Sequence, residues 1–300
     1  MAILKPGVVT DGVVQSPEAL GEAILSAWEQ LETPQRKVGI ALPPSLTFVA
    51  EMTVAAQLVG EDLEVAIEAE ANRIVPYSLD DIYYGHEILG TEGRRKRVRI
   101  VCAHKERVDE RVAAIEHAGL QAAFVDAEQY CVERALQSIF PALETQDGPQ
   151  AYLDIGESGS RIYILLNGHT IYLKSLALGL AALFDRLNIQ YGLSWEAYSA
   201  FMSRREYNTD LRDGIASFAN LFSQDIRREI ELFRATTSHP MPLKLWLGGG
   251  GAALFEIQQS LTQTLNISTE VIALDALFPP AHPGLSAPYL WVVALGIALR

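Results

Sequence analysis

Apolar and polar positions regroup along this chain in a way that predicts a mixed α/β protein. Near the start, Val8-Val9 and Val13-Val14 form two short apolar runs around an Asp11-Gly12 turn signal. Ser16-Pro17-Glu18 then opens a helix that runs through Trp28 and Leu31. Ser16 is placed to accept from an orphan amide, and Pro17 suits the first helical position because its missing N–H would have no partner there anyway. Residues 37–42 read as a buried strand ended by Pro43-Pro44. From 47 to 125 the pattern predicts a compact α+β module. Its elements are a helix over 62–74 stopped at Val75-Pro76, strands over 82–89 and 98–103, a helix over 107–118 closed by Gly119, and a strand over 122–125. The basic run Arg94-Arg95-Lys96-Arg97 falls between two strands and reads as a solvated hairpin loop. A helix over 127–140 follows, and 141–150, with Asp147-Gly148-Pro149, reads as a linker.

The second half repeats the alternation of strand and helix. An apolar strand over 151–155 ends in Asp154-Ile155-Gly156, a turn of small residues leads to a second apolar strand, and Asn167-Gly168 signals a turn into a third strand over 170–173. Helices are predicted over 180–191, ended by Gly192, over 195–202, and over 213–234. In the last of these Phe222, Ile226, Ile230 and Phe233 recur at helical spacing, while Arg227 and Glu231 pair at i, i+4. A strand over 243–247 runs into Gly248-Gly249-Gly250-Gly251 and a helix over 252–265. The apolar stretch 289–299 is shorter than the ~20 residues a membrane-spanning helix needs and reads as a buried terminal helix.

Composition narrows the function classes. A chain of 300 residues is long enough for two domains, each with its own core. A formal net charge of −13 argues against nucleic acid or an anionic membrane as the main partner and favours a basic segment instead. The two cysteines, Cys102 and Cys131, sit in predicted core elements, as expected of a reducing compartment, and with no secretory pattern the expected location is the cytoplasm. The six histidines show no metal-ligand spacing, and no nucleophile stands in a Gly-x-Ser-x-Gly elbow, so no catalytic residue is nominated.

Two glycine-bearing turns carry the candidate chemistry. In the first, Gly156 and its neighbours let backbone amides approach a phosphate, and Asp154 at the strand end can hold the water shell of a magnesium ion. A plain hairpin with a polar tip is the alternative. In the second, a strand, four glycines and a helix start make a place where backbone can lie against a planar base or a phosphate. Each glycine forgoes ~0.5–1 kcal/mol of backbone restriction relative to alanine, which favours close approach of a ligand over a tight crossover.

In order and spacing these motifs resemble the type IV pilus assembly protein PilM family, within the actin-like ATPase fold, with the cell-division protein FtsA as a more distant relative. The resemblance is carried by Asp11-Gly12-Val13, by 66–71 with Val75-Pro76-Tyr77, by Ala118-Gly119-Leu120 and 125–128, by Asp154-Ile155-Gly156, by 226–230, by 247–251, and by the closing 294–300. It implies an α/β, actin-like two-domain (ribonuclease H-like) fold with an inserted α+β subdomain. The first domain would cover 1–150 with the insertion at about 46–126, and the second 151–300, the last helix at about 285–300 packing back on the first. It also implies a cytoplasmic protein at the inner face of the cytoplasmic membrane, in contact with the membrane only through partners. Those partners would be the short N-terminal cytoplasmic tail of a PilN-like protein, other pilus platform proteins and further copies of the chain. Nucleic acid is not expected. An ATP–magnesium site would use Asp154 for magnesium through water, Gly156 and Ser160 for phosphate, Gly249, Gly250 and Gly251 for adenosine, and Arg228 for the ribose or base edge.

The departures from the family pattern all concern that site. The chain begins after the point where the family carries a first Asp-x-Gly hairpin, so the first domain is expected to lack its leading strands and half of the phosphate clamp. Ser160 replaces a threonine, Glu157 adds a carboxylate to the turn, and Gly179-Leu180 replaces Gly-Gly. Ala197-Tyr198-Ser199-Ala200-Phe201 replaces the family's Ala-Glu-x-x-Lys and loses both charges. The expectation is a pilus-assembly scaffold with weak or lost ATP binding. Its rivals are a working ATPase of pilus assembly and the cytoplasmic domain of a type II secretion L-type protein.

Overall fold

The computed structural model describes residues 4, 7–10, 12–144, 147–204, 211–273 and 287–300. Asp11 of the expected first turn and residues 285 and 286 of the expected last helix lie outside the described residues. The chain divides into two compact units, Met1–Glu128 and Gln129–Arg300.

The first unit opens with strands β1 (Val9–Thr10) and β2 (Val13–Val14), an antiparallel pair. Helix α1 (Pro17–Glu29) starts as its sequence predicts, with Ser16 Oγ accepting from the Ala19 amide at 3.2 Å. Strand β3 (Lys37–Leu42) follows, then β4 (Phe48–Ala55), helix α2 (Gly60–Ile74), the antiparallel pair β5 (Ile82–Glu92) and β6 (Arg95–His104), helix α3 (Lys105–His117) and strand β7 (Gln121–Ala127). Strand β7 pairs in parallel with β3, while β4, β6 and β5 form a three-stranded sheet in that order. Helix α2 lays Leu63, Ile67 and Ala71 on the apolar face of this sheet, against Met52, Val54, Val98, Ile100 and Cys102. That stripe follows from helical spacing meeting the two-residue period of the strands.

Strand β4 was not anticipated, although Ala50, Met52 and Val54 alternate with Glu51 and Thr53. The basic run also reads differently in three dimensions. Arg95, Lys96 and Arg97 belong to β6, leaving only Arg94 in the turn. Arg97 pairs with Glu51 on β4 at 2.9 Å and with Glu92 at 3.2 Å, and Arg99 reaches Glu51 at 3.4 Å. Facing carboxylates on both flanking strands hold Arg97 in the sheet, and Arg95 donates to Thr53 on β4 at 2.7 Å.

The second unit is a three-layer sandwich. Its elements are α4 (Glu128–Ile139), β8 (Gln150–Ile155), β9 (Ser160–Leu166), β10 (His169–Leu176), α5 (Leu180–Tyr191), α6 (Trp195–Arg204), α7 (Arg212–Thr236), β11 (Lys244–Gly248), α8 (Phe255–Leu265), β12 (Ser268–Val271) and α9 (Val292–Ala298). The sheet order is β10-β9-β8-β11-β12, with β8 parallel to β11, β11 parallel to β12, and the β8–β9–β10 strands antiparallel. Alternation along β8 and β9 sends Ala151, Leu153, Ile155, Ile162 and Ile164 to a core shared with α5, α7 and α8. Tyr152, Tyr163 and Leu165 point to the opposite core, shared with α4 and α9. The helix expected over 252–265 begins as a 3-10 turn, Gly250–Ala253, before α8 proper.

No helix among the described residues is long and apolar enough to cross a membrane.

Candidate functional site

The two glycine-bearing turns meet within the second unit. Strands β8 and β11 run side by side in parallel with Gly248 in register with Asp154, so the glycine turn leaves the sheet beside the tip of the β8–β9 hairpin. Gly249 has φ +75°, a left-handed conformation that glycine adopts without steric cost, and its amide donates to the Tyr289 carbonyl at 2.9 Å. A Cβ at Gly249 would stand 2.5 Å from both Asp154 Oδ1 and the Ile155 carbonyl, and one at Gly251 would overlap the Ile155 side chain. Tyr152 crowds Gly248 in the same way, and Gly250 faces Leu180 at 3.2 Å. Close packing against β8 thus gives most of this run a reason to be glycine without any ligand.

The hairpin tip is equally tight. The Gly156 amide donates to the Gly159 carbonyl at 3.0 Å. Helix α5 starts against it: the Leu180 amide donates to the Gly156 carbonyl at 3.0 Å, Ala181 to Glu157 at 2.9 Å, and Ala182 to Gly179 at 3.2 Å. Gly179 is needed for this approach, since a Cβ there would stand 2.6 Å from the Gly159 amide nitrogen. The first amides of a helix are orphan donors, and here the protein's own carbonyls take them.

The side chains turn inward as well. Ser160 is buried and its hydroxyl donates to the Leu178 carbonyl at 2.7 Å. Asp154 lies opposite Arg161 in the hairpin register, with Oδ2 at 3.4 Å from the guanidinium. Glu157 keeps contact with solvent, yet burial of its carboxyl still raises its pKa above the ordinary value of 4.5, and screening by that solvent limits the energetic weight of the shift. Tyr198 on α6 is buried, and its hydroxyl donates to the Leu180 carbonyl at 3.1 Å. Burial first, and the Glu157 charge second, push its phenol well above the usual range. Tyr198 is therefore a brace between α6 and the start of α5.

The structure brings together Asp154, Gly156, Ser160, Gly249, Gly250 and Gly251. Arg228 lies on the exposed face of α7, where its described partner is Asp225 one turn earlier. Arg161, Tyr152, Leu178 and Tyr289 belong to the neighbourhood although sequence reasoning did not nominate them. Only Arg161 had a legible signal: with Ile155 opposite Ser160 closing the turn, hairpin arithmetic sets Asp154 against Arg161. Among the described residues, no cluster of three or more histidine, cysteine, aspartate or glutamate side chains is arranged to hold a metal ion.

A sandwiched sheet with this hairpin, the following helices and a glycine turn after β11 is the fold of the actin-like ATPases. Three solved structures are similar to the chain in fold. One is a PilM-PilN type IV pilus biogenesis complex, at 24% identity and TM-score 0.79, covering 99% of this chain and 88% of that one. The second is the ethanolamine utilization protein EutJ from Carboxydothermus hydrogenoformans, at 16% identity and TM-score 0.55, covering 97% and 77%. The third is MreB5 of Spiroplasma citri bound to ADP, at 13% identity and TM-score 0.50, also covering 97% and 77%. The sequence-family model described as type IV pilus assembly protein PilM matches residues 1–300, and the chain belongs to that family.

Proposed function

We infer that this pilus-assembly protein acts as a scaffold that holds the N-terminal cytoplasmic tail of a PilN-like protein at the inner face of the membrane, with ATP binding weak or lost. Family membership and the likeness to a PilM-PilN complex support the partner. One observation carries the nucleotide half of the reading: several donors around the two glycine turns are engaged with protein acceptors. The amides of Leu180 and Ala181, the Gly249 amide and the Ser160 hydroxyl all donate to backbone carbonyls. A triphosphate would have to displace these bonds, each worth about 1 kcal/mol net and more where the freed group stays buried. The residues present therefore fit a closed structural joint better than a nucleotide and its magnesium ion.

The working-ATPase reading rests on a different feature, the retained juxtaposition of Asp154 with the Gly248–Gly251 turn. Titration calorimetry separates the two. The scaffold reading expects a synthetic PilN-type N-terminal tail to bind and ATP with magnesium to give no heat at concentrations up to about 1 mM. Tight ATP–magnesium binding would overturn the second half of the reading, and no binding of the tail would overturn the first.

A further inference from the structure

The α+β module of the first unit has an unfinished edge. Strand β5 is the outer strand of its sheet, so along one side its alternate amides and carbonyls face no strand among the described residues. Proteins ordinarily blunt such edges, and here the blunting covers only the far end, where the register shifts between Ile88 and Gly90. From Ile82 to Ile88 the pairing with β6 is regular. On the α2 side of this stretch Tyr84 and Ile88 are 39% and 46% exposed, so an apolar margin lies open beside an open backbone edge.

Two further features bear on what fits there. Gly85 sits in the middle of the regular stretch, where glycine weakens a strand, and a Cβ on it would meet nothing within 4 Å. The protein's own packing gives no reason for glycine at this position, whereas a bulky side chain on an adjacent strand would have one. The margin is also acidic. Glu64 approaches the His86 imidazole at 3.6 Å, and the charges of Glu68 and Glu64, after burial, raise the Tyr84 phenol above its usual range. Glu61 lies one turn before Glu64 on the same helix face. The opposite face of the sheet, by contrast, balances Arg97 and Arg99 against Glu51, Glu87 and Glu92.

We propose that the Ile82–Ile88 edge of β5, with the Glu61, Glu64 and Glu68 stripe of α2, is a docking site at which an extended, basic segment of a partner protein adds to the sheet as a fourth strand. Main-chain hydrogen bonds to β5 supply the affinity, and the carboxylates select lysine- or arginine-bearing sequences. A second copy of this chain would bring an identical acidic stripe to the same margin, which disfavours β5-to-β5 pairing. The site is independent of the nucleotide question and of the PilN-tail reading.

The test uses the full chain and a labelled peptide of alternating lysine and valine, followed by fluorescence anisotropy at low salt and by hydrogen exchange. Binding is expected, with new protection confined to β5 amides. It should fall about ten-fold or more in Glu64→Lys/Glu68→Lys, and likewise for the same peptide N-methylated at alternate residues, which cannot pair as a strand. Gly85→Val, whose Cβ would meet nothing within 4 Å in the free chain, should fold and bind more weakly. Binding that survives the charge reversal overturns the location, and binding that survives N-methylation overturns strand addition. Self-association in sedimentation that Gly85→Val abolishes would make the occupant a second copy and overturn the proposal.

Discussion

Gly249 lies so close to Asp154 that a Cβ on the glycine would stand 2.5 Å from the carboxylate Oδ1. The carboxylate that the sequence suggests for magnesium and the glycine that it suggests for adenosine are thus each other's packing partners. A Gly249→Ala variant would carry strain from φ +75° together with overlap at Asp154 and Ile155. The expected cost is about 2–4 kcal/mol, the sum of a disfavoured backbone conformation and an overpacked contact. Urea unfolding of the variant and the parent chain measures it. A loss below about 0.5 kcal/mol would mean that the turn is not packed as described.

The inward-turned hydroxyls make a second prediction. Tyr198→Phe removes the buried bond to the Leu180 carbonyl and Ser160→Ala the partly buried one to the Leu178 carbonyl. Each is expected to cost about 0.5–1.5 kcal/mol, with the upper end where the abandoned carbonyl keeps no other donor. If Ser160 instead served a bound phosphate, Ser160→Ala would leave apo stability unchanged and reduce only nucleotide affinity, so thermal melts with and without ATP–magnesium distinguish the roles.

How far the sequence alone leads to this picture depends on whether the determinants are local. The helix at Pro17 is legible because Ser16 and Pro17 carry their signals within one turn, and α5 because its apolar spacing and Gly192 bound it. The family resemblance was legible because it rests on the order of many short motifs, and the match over residues 1–300 bears it out. Strand membership of Arg95, Lys96 and Arg97 was hidden, since what they bond to, Thr53, Leu58 and Glu51 respectively, lies 38 to 46 residues earlier in the chain. The site shows the same divide. Glycines 248–251 announce that something approaches the backbone, but whether a ligand or the side chains of Tyr152, Asp154 and Ile155 do so is a tertiary fact.

Two carboxylates give pH dependences of opposite sign. The hydrogen bond from Arg97 holds Glu51 below its ordinary value of 4.5, so its contribution is present at neutral pH and fades as the pH falls through the depressed folded pKa. Burial raises Glu157 above 4.5, so the folded state binds its proton more tightly than the unfolded chain does. That favourable term is full below about pH 4.5 and is lost as the pH rises through the raised folded pKa. Glu157→Gln is therefore expected to be more stable than the parent at pH 7, with the advantage shrinking as the pH is lowered towards 4. Glu51→Gln should be less stable at pH 7, with its deficit shrinking over the acid range. Chemical-denaturation midpoints at several pH values check both signs.

The most severe single change is predicted far from the glycine turns. In the second unit, Gly296 on α9 presses against the backbone of Cys131 on α4, so closely that a Cβ would overlap the Cys131 carbonyl oxygen. Arg134 locks the contact by donating from Nε to the Gly296 carbonyl at 3.0 Å. On either side, Val292 of α9 is buried with Val132, Ala135 and Leu136 of α4 in the core that also receives Tyr152 and Tyr163 from the sheet. Backbone cannot yield as a flexible side chain does, so Gly296→Ala must lift α9 off α4 and open that core. The expected loss is about 3–5 kcal/mol, the range of large core disruptions. Hydrogen exchange should show amides of α4 and α9 losing protection while those of α2 and β4–β6 in the first unit keep theirs. Arg134→Lys, which keeps the charge but loses the guanidinium geometry, should cost only about 1 kcal/mol. If both variants melt like the parent chain, the packing of α9 on α4 is wrong; if only Gly296→Ala fails, the close backbone approach is what holds the terminal helix.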